Sequence, residues 1–166
     1  MKRLLTSLLI VVLLSVAFTS TVSAYTVTAT LVTAQGQVRA AGFVQISNDA
    51  ENITVRYWMR ANHCLLESHL HLAATLEEIP QNDGGAIPGQ FDYKNHHDCV
   101  REFTYEIPFA DKGFEMGQTI FIAAHGVVLL PDGTTDETAW GARCGCLEGA
   151  QFPGSNWSAY IEYTIH

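Results

Sequence analysis

The chain has 166 residues, enough for one domain with a real core, and its length points to a single one. Its formal net charge of −8, from 17 acidic against nine basic residues, repels nucleic acid and anionic lipid, so neither is an expected partner.

In chain order, Lys2 and Arg3 precede an apolar run, and Val22-Ser23-Ala24 ends in the small-x-small pattern that signal peptidase accepts. Residues 1–24 are therefore predicted to be a cleavable signal peptide and 25–166 a single secreted domain, extracellular or periplasmic, with no transmembrane anchor after cleavage. Loss of Lys2 and Arg3 takes the formal charge from −8 to −10. Residues 25–34 alternate and are rich in Thr and Val, which predicts a strand. Residues 42–47 and 53–59 form a predicted strand pair around the turn-prone Asn48-Asp49-Ala50-Glu51. In 65–74, Leu66, Leu70, Leu72 and Ala74 give one apolar face interrupted by Ser68, while Glu67, His69 and His71 point the other way. Residues 77–98 read as a long irregular stretch, and loops of that length are often functional. Strand character resumes over 100–108 and 119–130, Pro131-Asp132-Gly133 marks a hairpin turn, and 159–165 closes the chain. About seven strands at this spacing predict an all-β fold, an antiparallel immunoglobulin-like or Greek-key β-sandwich.

In an oxidising compartment Cys64, Cys99, Cys144 and Cys146 read as two disulfides. The expectation is that Cys64 and Cys99 each pair with one of Cys144 and Cys146. The alternative is Cys64 with Cys99, leaving a strained ring between the other two. Zinc is the competing use, although the paired Cys-x2-Cys spacing is missing.

Several blocks together carry a family resemblance. They are Ser47-Asn48-Asp49 with Glu51-Asn52-Ile53-Thr54-Val55, Glu67-Ser68-His69-Leu70-His71-Leu72-Ala73, Glu78-Ile79-Pro80-Gln81 and Ile87-Pro88-Gly89-Gln90-Phe91. Tyr105-Glu106-Ile107-Pro108, Ile122-Ala123-Ala124-His125, Glu137-Thr138-Ala139-Trp140-Gly141 and the run from Phe152 to Tyr160 continue it. Over about residues 40–166 the chain resembles a group of largely uncharacterised secreted domains from bacteria and archaea. The resemblance implies an extracellular β-sandwich and carries no activity. The short segment before the His-x-His strand and the Ala-Arg-Cys-Gly-Cys stretch after Trp140 depart from that pattern.

Three constellations are candidate sites. His69 and His71 project to one side of a strand roughly 7 Å apart, and His125 on another strand could complete a Cu or Zn site with Glu67 or Glu137 nearby. The His-x-His strand looks like that of copper–zinc superoxide dismutase and chordin-type sandwiches, a similarity confined to the tripeptide. The bland alternative is that these histidines hydrogen-bond backbone and carboxylates. Trp140, Trp157 and Tyr160, with Phe91 and Tyr93, could stack on a glycan; the competing reading makes the tryptophans core plugs. Asp49, Glu51, Asp83, Asp92, Asp98, Asp132, Asp136 and Glu137 could hold Ca²⁺, without EF-hand spacing, or simply be solvated. Asn52 and Asn156 begin glycosylation sequons.

No Gly-x-Ser-x-Gly elbow, His-Glu-x-x-His or phosphate loop is present, so the expectation is a non-enzymatic binding or surface-structural domain engaging a glycan or a surface protein. Alternatives are a transition-metal-binding protein, and self-association into filaments by strand addition through residues 25–34.

Overall fold

The computed structural model describes residues 25–33, 39–143 and 151–166. The expected signal peptide, and Cys144 and Cys146 with it, lie outside the described residues. The protein is all-β and antiparallel, as the turn-separated alternating runs require, but the described residues form eleven strands rather than about seven. They are β1 (Val27–Thr33), β2 (Arg39–Asn48), β3 (Asn52–Met59), β4 (Cys64–Ala73), β5 (Gln81–Asn82), β6 (Gly85–Ala86), β7 (Tyr93–Val100), β8 (Glu102–Pro108), β9 (Thr119–Leu129), β10 (Asp136–Ala142) and β11 (Ile161–Thr164). Two single-turn 3-10 helices, Leu76–Glu78 and Pro88–Gln90, and one turn of α-helix, α1 (Phe109–Lys112), complete the described elements.

Nine strands form one sheet in the order β7-β4-β9-β10-β1-β2-β3-β8, with β11 on the edge of β9 that also carries β10; β5 and β6 make a separate hairpin. The sheet curls until its two ends meet through side chains. The Tyr105 hydroxyl of β8 lies 2.8 Å from Ser68 Oγ of β4, and the Phe103 ring of β8 sits 4.4 Å from the His97 ring of β7. Strand alternation fills the enclosed space. Ala29 and Leu31, Val44 and Ile46, Val55 and Tyr57, Leu70 and Leu72, and Ile120 and Ile122 all point inward and are buried. Ser68 is polar in that company, yet its hydroxyl meets both Tyr105 and His97 Nε2, each at 2.8 Å, which removes the ~1–3 kcal/mol cost of an unpaired buried hydroxyl.

Local chemistry sets the turns. The Asp49 carboxylate accepts the backbone N–H groups of Glu51 and Asn52 and closes the β2–β3 hairpin. Asp132 accepts those of Thr134 and Thr135 and the Thr135 hydroxyl, after the Pro131-Asp132-Gly133 turn. Asn48 takes the hydroxyl of Tyr163 and the backbone N–H of His166, so the end of the chain is held against the β2 terminus.

Three expectations need correction. Residues 77–98 are not irregular throughout, because β5, β6 and most of β7 fall there. In β7, Lys94, Asn95, His96 and Asp98 are exposed, and the strand pairs with β4 alone, so an edge position replaces the apolar face that would have betrayed it. The apolar face of β4 is Leu65, Leu70 and Leu72 rather than one beginning at Leu66, because a bulge between Leu65 and Glu67 shifts the register. Finally, Cys64 is bonded to Cys99, with Cα atoms 5.0 Å apart, which is the second of the two expected pairings and overturns the first, so neither pairs with Cys144 or Cys146. The β4–β7 register, which sets Leu65 opposite Val100, brings the two cysteines together.

Residues 25–34 were expected to offer a free strand. The described part, β1, is instead paired with β10 on one side and β2 on the other.

Candidate functional site

The outer face of β4, β9 and β10 carries the histidines, and it is not left to solvent. The segments 74–92 and 151–160 fold over it and build a second cluster of Val32, Ala73, Ile79, Ala86, Phe91, Ala123, Trp140, Ala142, Phe152 and Ala159. The two segments touch through glycine. Gly85 has φ +114°, and a Cβ there would come within 2.1 Å of Asn156 Oδ1. Across that contact Asn156 accepts the Ser158 backbone N–H, and Ser158 Oγ accepts that of Ala86.

His69 and His125 are direct cross-strand partners, and their Nδ1 atoms are 3.1 Å apart. One ring therefore donates to the other, which requires opposite tautomers. His125 is 7% exposed and its ring meets Trp140 edge-on at 4.8 Å. Burial, with His69 adding to it, pushes its pKa down to about 3, so it is neutral. Burial also lowers His69, although Glu67 opposes the shift from 3.7 Å away at Nε2. The other oxygen of Glu67 faces exposed His96 Nδ1 at 3.3 Å. From the core side, the buried Tyr57 hydroxyl lies 3.1 Å from the His69 carbonyl and 3.4 Å from that of His125, pinning the two strands where the rings meet.

His71 does not join them. It packs on Phe91, accepts the Asp92 backbone N–H at Nδ1, and faces the Asp92 carboxylate, which is itself paired with Lys112. Glu137 is also apart. It pairs in register with core residue Val128, whereas His125 pairs with Trp140 on the opposite face. Among the described residues, no three of His, Cys, Asp or Glu are placed to share one metal ion. The acidic residues are dispersed too: Asp49 and Asp132 close turns and Asp92 holds Lys112.

Trp140 is 5% exposed, and Trp157 and Tyr160 are half-buried against the same second cluster, so these three plug the fold and do not form an open stacking surface. Asn156 is exposed but its carbonyl is engaged by Ser158, and Asn52 is half-buried opposite Pro108 at the start of β3.

Besides Tyr25, at 48%, the exposed aromatic among the described residues is Trp58, at 44%. It lies on the outer face of β1, β2, β3 and β8, where register sets Thr30, Phe43, Trp58 and Glu102 in one row and Thr28, Gln45, Arg56 and Thr104 in the next. The Phe43 ring lies 5.7 Å from that of Trp58 at 30°. Arg56 grips Glu102 with two hydrogen bonds, at 2.7 and 2.6 Å, and reaches Gln45 at 3.2 Å. Alternation carried the signal. Ile53, Val55, Tyr57 and Met59 form the buried face, so Trp58 must project outward with Thr54 and Arg56.

Ser68 and His97 have the contact of a nucleophile and its base, but Ser68 is fully buried and no substrate can reach it. No family model matches the chain, and no curated protein or solved structure matches it either.

Proposed function

We propose that this is a secreted, non-enzymatic binding domain whose ligand is a glycan taken on the sheet face around Trp58. The observation that carries this reading is a four-strand face, left uncovered by the described residues, that bears Trp58 and Phe43 beside hydroxyl, amide and guanidinium groups held in fixed rows. Ring faces stack on the C–H face of a sugar, and the polar groups take its hydroxyls. The bidentate Arg56–Glu102 pair fixes its groups before a ligand arrives, which lowers the ordering cost of binding. An extracellular address is supported by the Cys64–Cys99 bond, by the signal-like residues 1–24 and by the resemblance to secreted domains. No helix among the described residues is long and apolar enough to cross a membrane. A glycan array followed by calorimetry tests the reading. Trp58→Ala is expected to weaken binding roughly three- to tenfold or more, and binding unaffected by Trp58→Ala overturns it.

A second reading is transition-metal binding. It is favoured by the Nδ1 atoms of His69 and His125 standing 3.1 Å apart, close to the roughly 3.3 Å between two ligands of a tetrahedral metal. Glu67 would have to turn from His69 Nε2 to complete it. Added Zn²⁺ or Cu⁺ is then expected to raise the melting temperature of the protein but not of His69→Ala. Equal curves with and without metal would remove this reading.

A further inference from the structure

The end of the fold that carries the disulfide holds an open cleft of about 370 Å³, lined by His63, Cys64, Cys99, Arg101, Leu129 and Leu130 among others. Two features set it apart. The non-glycine residues with positive φ among those described are Asn62, at 63°, and Cys99, at 50°, and both lie in its wall. Asparagine adopts this conformation readily, but at Cys99 it is strained, and such strain gathers at ligand sites. Its lining also carries polar groups with bonding capacity left over. Arg101 spends one Nη2 hydrogen on the Met59 carbonyl at 3.1 Å, which anchors the guanidinium and leaves other N–H groups for a ligand. His63 donates from Nδ1 to the Ala61 carbonyl at 3.2 Å, so in the neutral ring Nε2 is the acceptor. Leu129, Leu130 and Pro131 supply apolar lining in the same cleft. The carboxylate of Asp132, next along the chain, is occupied by Thr134 and Thr135.

We infer that this cleft binds the carboxylate of an acylated apolar amino acid. The carboxylate meets Arg101, the neighbouring amide N–H donates to His63 Nε2, and the apolar side chain lies on Leu129 and Leu130. The same chemistry is presented by a free N-acyl amino acid and by the C-terminal residue of a peptide. Trp58 does not line the cleft, so this inference stands apart from the glycan reading.

The test is NMR titration of the full chain with N-acetyl-leucine, N-acetyl-leucinamide and Ala-Ala-Leu. N-acetyl-leucine at millimolar concentration is expected to shift the His63 ring and Leu130 methyl signals, and the amide to bind at least roughly tenfold more weakly for want of the charge. Tighter binding of the tripeptide assigns the site to chain ends; equal binding assigns it to free acids. Arg101→Gln is expected to abolish the shifts and Trp58→Ala to leave them. Because Arg101 also holds Met59, Gly133→Asp serves as the second variant. Nothing lies within 4 Å of a Cβ there, aspartate tolerates the left-handed φ of 73°, and its charge at the mouth repels the ligand. No shift with either acid, equal affinity for acid and amide, or undiminished binding by both variants overturns the inference.

Discussion

Lowering the pH from 6.5 to 4.5 is expected to remove about 2–3 kcal/mol of folding stability through His125 alone. The folded protein holds this imidazole neutral, with its pKa down at about 3, while the unfolded chain protonates it near the ordinary value of 6.5. A depressed histidine pKa means that the unfolded state binds the extra proton, so stability is full above about pH 6.5. It is lost as pH falls toward the folded value, at up to ~1.4 kcal/mol per pH unit. His69 and His71, both lowered by burial, act in the same direction. The carboxylates with lowered pKa, Asp92 and Asp132 among them, also lose their contribution on acidification, but chiefly from the ordinary carboxylate range downward. The limb between pH 6.5 and 4.5 therefore belongs to the histidines. Urea midpoints measured across that interval should fall steeply for the native chain and more gently for His125→Gln, which keeps a hydrogen-bonding group opposite His69. A flat native profile, or one with the same slope in the variant, would refute the assignment.

That buried pair shows how far the sequence could be read. A His-x-His strand and a histidine of matching parity on a second strand are visible as letters, and β4 and β9 do set His69 against His125. What the letters lack is the second layer. The segments 74–92 and 151–160 carry no strong periodicity, yet they cover the outer sheet face and decide the environment of everything on it. Their cover turns Trp140 from a candidate stacking platform into a wall of the His125 pocket and sends His71 to Asp92. Trp58 is the converse case. Its exposure follows from the alternation of β3 alone, but a tryptophan inside an apolar run reads as core until each residue is given its face. The edge strand β7 was illegible because its alternation is polar on both sides. The sequence left two cysteine pairings open because the choice depends on the register of β4 against that same strand.

Removing the Cys64–Cys99 bond as Cys64→Ala/Cys99→Ala should cost roughly 3–4 kcal/mol, the loop-closure value for a chain segment of 35 residues. The bond closes off β4, the β5–β6 hairpin, both 3-10 turns and β7, which is much of the second layer with the edge strand that bounds it. Among the described residues β7 pairs with β4 alone, and its exposed polar side chains give it little apolar burial of its own, so the tether matters most there. Hydrogen exchange should accordingly speed up first in β7, while β1, β2 and β3, whose inward residues lie in the main core, keep their protection. The backbone at Cys99 adds a second, separable effect. Its φ of 50° is costly for alanine but not for glycine. Cys64→Ala/Cys99→Gly should therefore be more stable than the double-alanine variant by about 1 kcal/mol. Substitution is the right instrument because reductant would also act on any bond made by Cys144 and Cys146. A double-alanine variant that melts with the native chain would show that the edge strand is held by its hydrogen bonds alone, and one that loses protection evenly across all strands would show that the bond supports the whole sheet instead of its edge.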